Sequence, residues 1–262
     1  MTAHNAAPHR TTVHAMAMPF TVELDGADPA DAEPAIASFH GVLRWADDVF
    51  SLWKDDSSLS RHLAGELALE ECPPELREVL EACEWFREAT DGGFDARRRD
   101  GVIDPTGLVK GWAVARAARA LDRAGASGWM VGASGDILCS PGTTRRIGIA
   151  DPHVKGDPAG TPVLDVVELG GAFTALATSG GAQVVDHIWD PETGEVARHY
   201  PQVSVAGTDL TVCDAWATAI AGGGPRIVPR ALAAGLEVLL VTGLRHDGTY
   251  DAQSSPGWPS VA

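Results

Sequence analysis

The apolar positions of the chain follow two different periods. Between residues 31 and 53, Ile36, Phe39, Val42, Leu43, Ala46, Val49 and Phe50 recur at spacings of three and four, which lines one face of an amphipathic helix. Asp28 or Asp31 stands where that helix would take its cap. Residues 73–90 repeat the pattern with Leu76, Val79, Leu80, Cys83 and Phe86, and Pro73 and Pro74 suit a first turn. Residues 107–124 predict a third helix, rich in alanine and arginine and stopped by Gly125. Residues 20–24 (FTVEL) alternate in the strand period. The middle of the chain then changes character. Residues 129–133, 146–150, 163–168, 172–177, 183–189 and 203–206 are short strand patterns separated by Gly and Pro. A helix over 214–221, stopped by Gly222-Gly223-Gly224-Pro225, another over 229–234 and an apolar strand over 237–242 follow. Helices before and after a run of strands predict an α+β fold: a central, largely antiparallel sheet with flanking helices that cover one side. Residues 1–15 are polar and His-rich and predict a mobile N-terminal segment, leaving 16–262 as a single domain.

Composition narrows the function. With 45% apolar and 21% charged residues, the chain is an ordinary globular sequence. Thirty-six acidic against twenty basic residues give a formal charge of -16. That field repels phosphate backbones and anionic lipid, which argues against nucleic acid and membrane surfaces as partners. An anionic ligand therefore needs a cation or a local cluster of donors. Residues 231–244 form the longest apolar stretch, but Glu237 interrupts it and it is too short to span a bilayer. The first eighteen residues lack the apolar core of a secretory signal, so a cytoplasmic location is expected. Cys72, Cys83, Cys139 and Cys213 show no CxxC spacing and read as reduced, buried thiols.

Four segments carry candidate chemistry. Within residues 92–121, Gly92, Gly93, Asp104, Pro105 and Gly107 make a turn-rich approach to a helix, and Lys110 sits one turn inside it. Unpaired N–H groups at a helix start favour anions, and Lys110 adds a full charge. Lysine is scarce here, with only Lys54, Lys110 and Lys155 against seventeen arginines. In residues 211–225, Asp214 and Thr218 are four apart and share one helical face. A carboxylate and a hydroxyl so placed can ligate a hard cation such as Mg2+. The same spacing also admits a capping arrangement, with Thr211 as cap and Asp214 at the third position. Residues 177–197 bring Ser179, His187 and Asp190 into one neighbourhood, where His187 suits a base working near neutral pH. Residues 131–138 (VGASGDIL) form a Gly-rich turn ending in an acid.

Taken in order, these segments resemble the flavin transferases of the ApbE family (FAD:protein FMN transferases), from about residue 16 to 245. Met16-Ala17-Met18 resembles the family's opening Met-Gly-Thr, and SLWKDDSSLSR, with Ser51, Trp53, Ser58 and Ser60, its serine-rich signature. Gly92-Gly93-Phe94-Asp95, IDPTGLVKG, SGDI at 134–137, ATSG at 177–180, HIWDPETG at 187–194 and DAWATA at 214–219 follow the remaining motifs. The resemblance implies that Met16, Trp53, Gly93, Phe94, Asp95, Asp104, Lys110 and Ile188 line an FAD site. It implies that the Gly107 carbonyl, Asp214 and Thr218 hold Mg2+, with His187, Asp214 and Lys110 as the catalytic set. The implied reaction transfers FMN from FAD to a Thr or Ser hydroxyl of an acceptor flavoprotein and releases AMP. Water as acceptor would make the same site an FAD pyrophosphatase, and loss of catalysis would leave an FAD-binding protein. The chain departs from the family at Ala17, Met18, Pro105 and Ser134, and the segment usually found between the Phe-Asp and Val-Asp-Leu motifs is nearly absent.

Overall fold

Eight strands hydrogen-bond into one antiparallel sheet: β1 (His9–Ala15), β2 (Met18–Leu24), β3 (Trp129–Ala133), β4 (Asp136–Cys139), β7 (Ala175–Gly180), β8 (Gln202–Gly207), β9 (Glu237–Leu244) and β10 (Tyr250–Ser254), in that spatial order. Between β4 and β7 the chain makes a separate hairpin, β5 (Arg145–Ala150) with β6 (Val163–Leu169). The helices are α1 (Pro29–Phe50), α2 (Ser58–Leu63), α3 (Pro74–Ala89), α4 (Thr106–Ala118), α5 (Leu210–Gly223) and α6 (Val228–Ala233). The computed structural model describes residues 8–152, 163–180, 188–244 and 250–261. Among these, no helix is long and apolar enough to cross a membrane.

Strand periodicity divides the core in two. Ala175 and Ala177 of β7, Val203 and Val205 of β8, and Val238 and Leu240 of β9 face a large cluster that includes Phe39, Leu43, Leu76, Leu108, Val114 and Ile220 from the helices. The alternate residues Leu176, Ala206 and Leu239 face a smaller cluster with Cys139, Ile149, Val167, Leu169 and Trp258. Helices thus cover one side, as expected, while the β5–β6 hairpin and Trp258 cover part of the other. All four cysteines are free and buried.

Several boundaries differ from expectation for identifiable reasons. Residues 9–15, read as part of a mobile segment, pair residue for residue with β2, from His9 with Leu24 to Ala15 with Met18. Their half-exposed edge position tolerates the polar composition that hid them. Helix α5 begins four residues early because Asp209, not Thr211, is its cap, accepting from Thr211 N at 2.8 Å and Val212 N at 3.2 Å. Asp28 caps α1 through Ala30 N at 2.8 Å. The third helix ends at Ala118, and a 3-10 turn (Leu121–Arg123) leads to Gly125 at φ +65°. The strand expected over 172–177 runs from Ala175 to Gly180. Residues 181–187, which include most of the strand expected over 183–189, lie outside the described residues.

Helices α4 and α5 cross at their closest where glycines leave room. A Cβ on Gly111 would sit 2.6 Å from the Leu210 carbonyl oxygen and 2.9 Å from Asp214 Cβ, and one on Gly107 would sit 2.9 Å from Thr218 Cγ2. Gly107 therefore faces Thr218 and Gly111 faces Asp214, so the two four-residue spacings run in opposite directions along the seam. Because a backbone oxygen cannot rotate away, Gly111→Ala is expected to destabilise the protein by about 1–3 kcal/mol. Urea denaturation checks this, and an unchanged midpoint would contradict the close crossing.

Candidate functional site

The α4–α5 seam ends against the sheet at β4, where three ionisable side chains meet. Lys110 Nζ lies 2.9 Å from Asp136 Oδ2 and 3.5 Å from Asp214 Oδ1. Asp214 Oδ2 accepts from Gly111 N at 2.9 Å, and Asp136 Oδ1 accepts from Thr178 N at 3.2 Å. Both acids are buried, Asp136 completely and Asp214 to within 2%. The lysine contact leaves Asp136 Oδ2 without a well-directed hydrogen bond. One ammonium between two carboxylates leaves the cluster at net −1 when all three are ionised. By sequence alone, Lys110 adds a full positive charge one turn inside the helix. Here that charge is already matched by the acids around it.

Burial sets the proton affinities. It raises the pKa of Asp136 to about 7, with the Asp214 charge adding to the rise and Lys110 opposing it. It also raises Asp214 above the ordinary carboxylate range, against Lys110 and the Gly111 N–H. For Lys110, burial works to lower the pKa, but the two carboxylates overcome it and hold the ammonium firmly charged. The folded chain therefore keeps a proton on Asp136 that the unfolded chain gives up near pH 4 (the ordinary value being about 3.9). Between there and about pH 7 the folded state binds more protons, so this group makes stability fall as pH rises. Asp136→Asn removes that slope. Its stability relative to wild type is expected to improve from about pH 4 to pH 7 and level off above, measured by urea denaturation in EDTA. A difference that stays flat across the window would contradict the assignment.

The residues anticipated for a metal converge on the same seam. Thr218 Oγ1 lies 3.4 Å from the Gly107 carbonyl oxygen, a contact too long to be a strong hydrogen bond. One turn away along α5, the Asp214 carboxylate turns inward to Lys110 and Gly111 rather than into a cap. Among the described residues no group of three or more His, Cys, Asp or Glu side chains gathers that could hold a metal ion. A cation here would therefore rest on a mixed set of carbonyl, hydroxyl and carboxylate. That donor set is all hard oxygen and suits Mg2+. With all three groups ionised the cluster is net negative, which favours a cation as well.

The remaining anticipated residues take separate positions. Phe94 is buried beside Gly107, where a Cβ on that glycine would meet its ring at 3.3 Å, and Gly93 packs under Ala219, Gly223 and Ile227. Asp104 Oδ1 accepts from Thr106 N at 3.1 Å and Thr106 Oγ1 at 2.6 Å, which shapes the start of α4. Asp95 accepts from Arg97 N at 2.8 Å and borders a cavity of about 370 Å3 with Leu80, Cys83 and Ile103. Ile188 packs against the main core. Next to it, the Trp189 carbonyl lies 2.9 Å from where a Gly222 Cβ would be, one turn beyond Thr218. Met16 is at φ +50° in the β1–β2 turn and packs on the main core. Trp53 stands 83% exposed in the loop after α1. His187 lies outside the described residues. Ser179 is buried on β7, while Asp190 pairs with His199 Nε2 at 3.2 Å.

Asp136 was missing from the anticipated site. Its only sequence signal was the acid closing the SGDI turn, which places it at the first residue of β4 behind Ser134 at φ +46°.

Comparison with solved structures finds the same fold. The flavin transferase ApbE from Vibrio cholerae superposes with a TM-score of 0.77 at 20% identity, over 96% of this chain and 98% of that one. The apo form of the Pseudomonas stutzeri flavinyl transferase ApbE gives 0.77 at 20% identity, over 98% and 97%. The ApbE protein from Thermotoga maritima gives 0.74 at 21%, over 93% and 96%. A comparison with curated protein sequences finds no match. The profile of the ApbE family matches residues 96–240, which contain Gly107, Lys110, Asp136, Asp214 and Thr218. By that match the chain belongs to the ApbE family.

Proposed function

We propose that the protein is an Mg2+-dependent transferase that moves the FMN moiety of FAD onto a Thr or Ser hydroxyl of an acceptor protein. One observation carries the reading: in a chain of the ApbE family, Lys110 joins Asp136 to Asp214 beside the Gly107–Thr218 contact. In this account the Gly107 carbonyl, Thr218 Oγ1 and Asp214 hold Mg2+. When bound, the ion neutralises the diphosphate of FAD and lets an anionic substrate approach a chain of net charge -16.

The residues of the chain divide the remaining work. Phosphoryl transfer depends mainly on alignment and charge stabilisation. Gly93 and Phe94 shape the floor beside α4, and Ile188 closes the neighbouring wall, with Met16, Trp53, Asp95 and Asp104 completing the flavin site. Lys110 fixes the positions of both acids, so that Asp214 does not reorient as charge builds up. His187 takes the proton of the acceptor hydroxyl. The hydroxyl oxygen then forms a bond to the FMN phosphorus as the bond to the AMP oxygen breaks. AMP leaves, and FMN stays on the acceptor as a phosphoester.

Incubation of the protein with FAD, Mg2+ and a Thr- or Ser-bearing acceptor peptide tests the reading by mass spectrometry. An FMN-bearing peptide together with AMP is the expected result. FMN and AMP without an adduct would make water the acceptor, and intact FAD would remove the enzymatic reading altogether.

A further inference from the structure

His199 belongs to none of the motifs above, yet its ring bonds Asp190 on one side and packs on Gly224 on the other. Its Nε2 lies 3.2 Å from Asp190 Oδ2. On the other edge of the ring, Nδ1 would stand only 2.7 Å from a Cβ on Gly224, whose φ of +71° ends α5. That edge of the ring packs on the Gly224 main chain, where only a glycine leaves it space. Asp190 is itself a hub. Its Oδ1 accepts from Glu192 N at 2.8 Å and Thr193 N at 3.2 Å, and its carbonyl accepts from Gly194 N at 2.6 Å. The hairpin closes with Asp190 N donating to the Glu195 carbonyl at 2.8 Å and Ala197 N donating to the Ile188 carbonyl at 2.9 Å. Arg226 adds an ion pair to Glu192 at 3.1 Å and donates to the Asp91 carbonyl at 2.8 Å, tying the same turn to the loop before Gly93. The hairpin so fixed lays the Trp189 carbonyl against Gly222, on the face of α5 that carries Asp214 and Thr218.

We propose that His199 is a positioning residue: through its hydrogen bond to Asp190 it clamps residues 188–199 onto the C-terminal end of α5 and so fixes the Ile188 wall of the flavin site. The consequence for FAD rests on the proposed function, whereas the clamp itself does not. A charge-assisted hydrogen bond of this kind supports an effect of about tenfold or more when it is removed. Glutamine can reach Asp190 with an N–H donor, whereas alanine cannot.

Two measurements on the full chain test the proposal with His199→Ala and His199→Gln. Hydrogen exchange of the Gly194 and Ala197 amides is expected to quicken about tenfold in the alanine variant and to return toward wild type in the glutamine variant. Titration with FAD in the presence of Mg2+ is expected to show a Kd weakened about tenfold in the alanine variant and largely restored by glutamine. Unchanged exchange in His199→Ala, or equal losses in both variants, would overturn the clamp. Unchanged FAD affinity beside quickened exchange would overturn its role in the flavin site. Wild-type protein that binds no FAD would count against the proposed function, and the exchange measurement would then judge the clamp alone.

Discussion

Asp214→Asn is expected to lower FMN transfer at least about 100-fold while the chain stays folded. A metal ion at a reacting phosphoryl group is worth several kcal/mol of transition-state stabilisation, and each 1.36 kcal/mol is about tenfold in rate. The asparagine keeps an oxygen to accept from Gly111 N, so the α4–α5 crossing survives. Lys110 retains its closer partner, Asp136 at 2.9 Å. What the variant loses is one negative charge beside Thr218 and Gly107. Single-turnover transfer to an acceptor peptide, read beside circular dichroism, checks the prediction. Undiminished transfer by a folded variant would remove Asp214 from the reaction.

Lys110→Met has the opposite profile, because its main effect falls on stability. The substitution leaves two buried carboxylates facing one another with no cation between them. Breaking a buried ionic cluster by removing one partner costs about 3–5 kcal/mol, since the remaining charge is left uncompensated. Asp136, whose pKa burial already raises to about 7, would take up a proton to relieve part of that cost. The double variant Lys110→Met/Asp136→Asn is therefore expected to recover part of the lost stability. Urea denaturation of the single and double variants near pH 8 measures both effects. A double variant no more stable than Lys110→Met alone would show that the lysine does not stabilise this acid pair.

The parts of the site that share one helix were legible in the sequence. Asp214 and Thr218 are one turn apart on α5, and Gly107 and Lys110 lie within one turn on α4, so their spacing announces a common face. The parts that depend on contacts between distant segments were not. Asp136 meets Lys110 only because β4 pairs between β3 and β7, and no local pattern distinguishes a four-residue strand from a Gly-rich turn. The cap of α5 was misread for a related reason. Thr211 and Asp209 both fit a helix start, and only the backbone shows that Asp209 accepts the first amides. His199 carried no signal, since a single histidine beside a strand is ordinary until its bond to Asp190 is seen. At the level of the fold, the antiparallel sheet and its helical layer followed from periodicity. The edge strand His9–Ala15 did not, because half-exposed polar residues alternate too weakly to stand out.

Crystals grown with Mn2+ in place of Mg2+ test the proposed divalent ion between α4 and α5 most directly. Anomalous scattering is predicted to place the ion within coordination distance of Asp214, the Thr218 hydroxyl and the Gly107 carbonyl. An ion bound away from all three, or no ion at the seam at saturating Mn2+ and FAD, would contradict it.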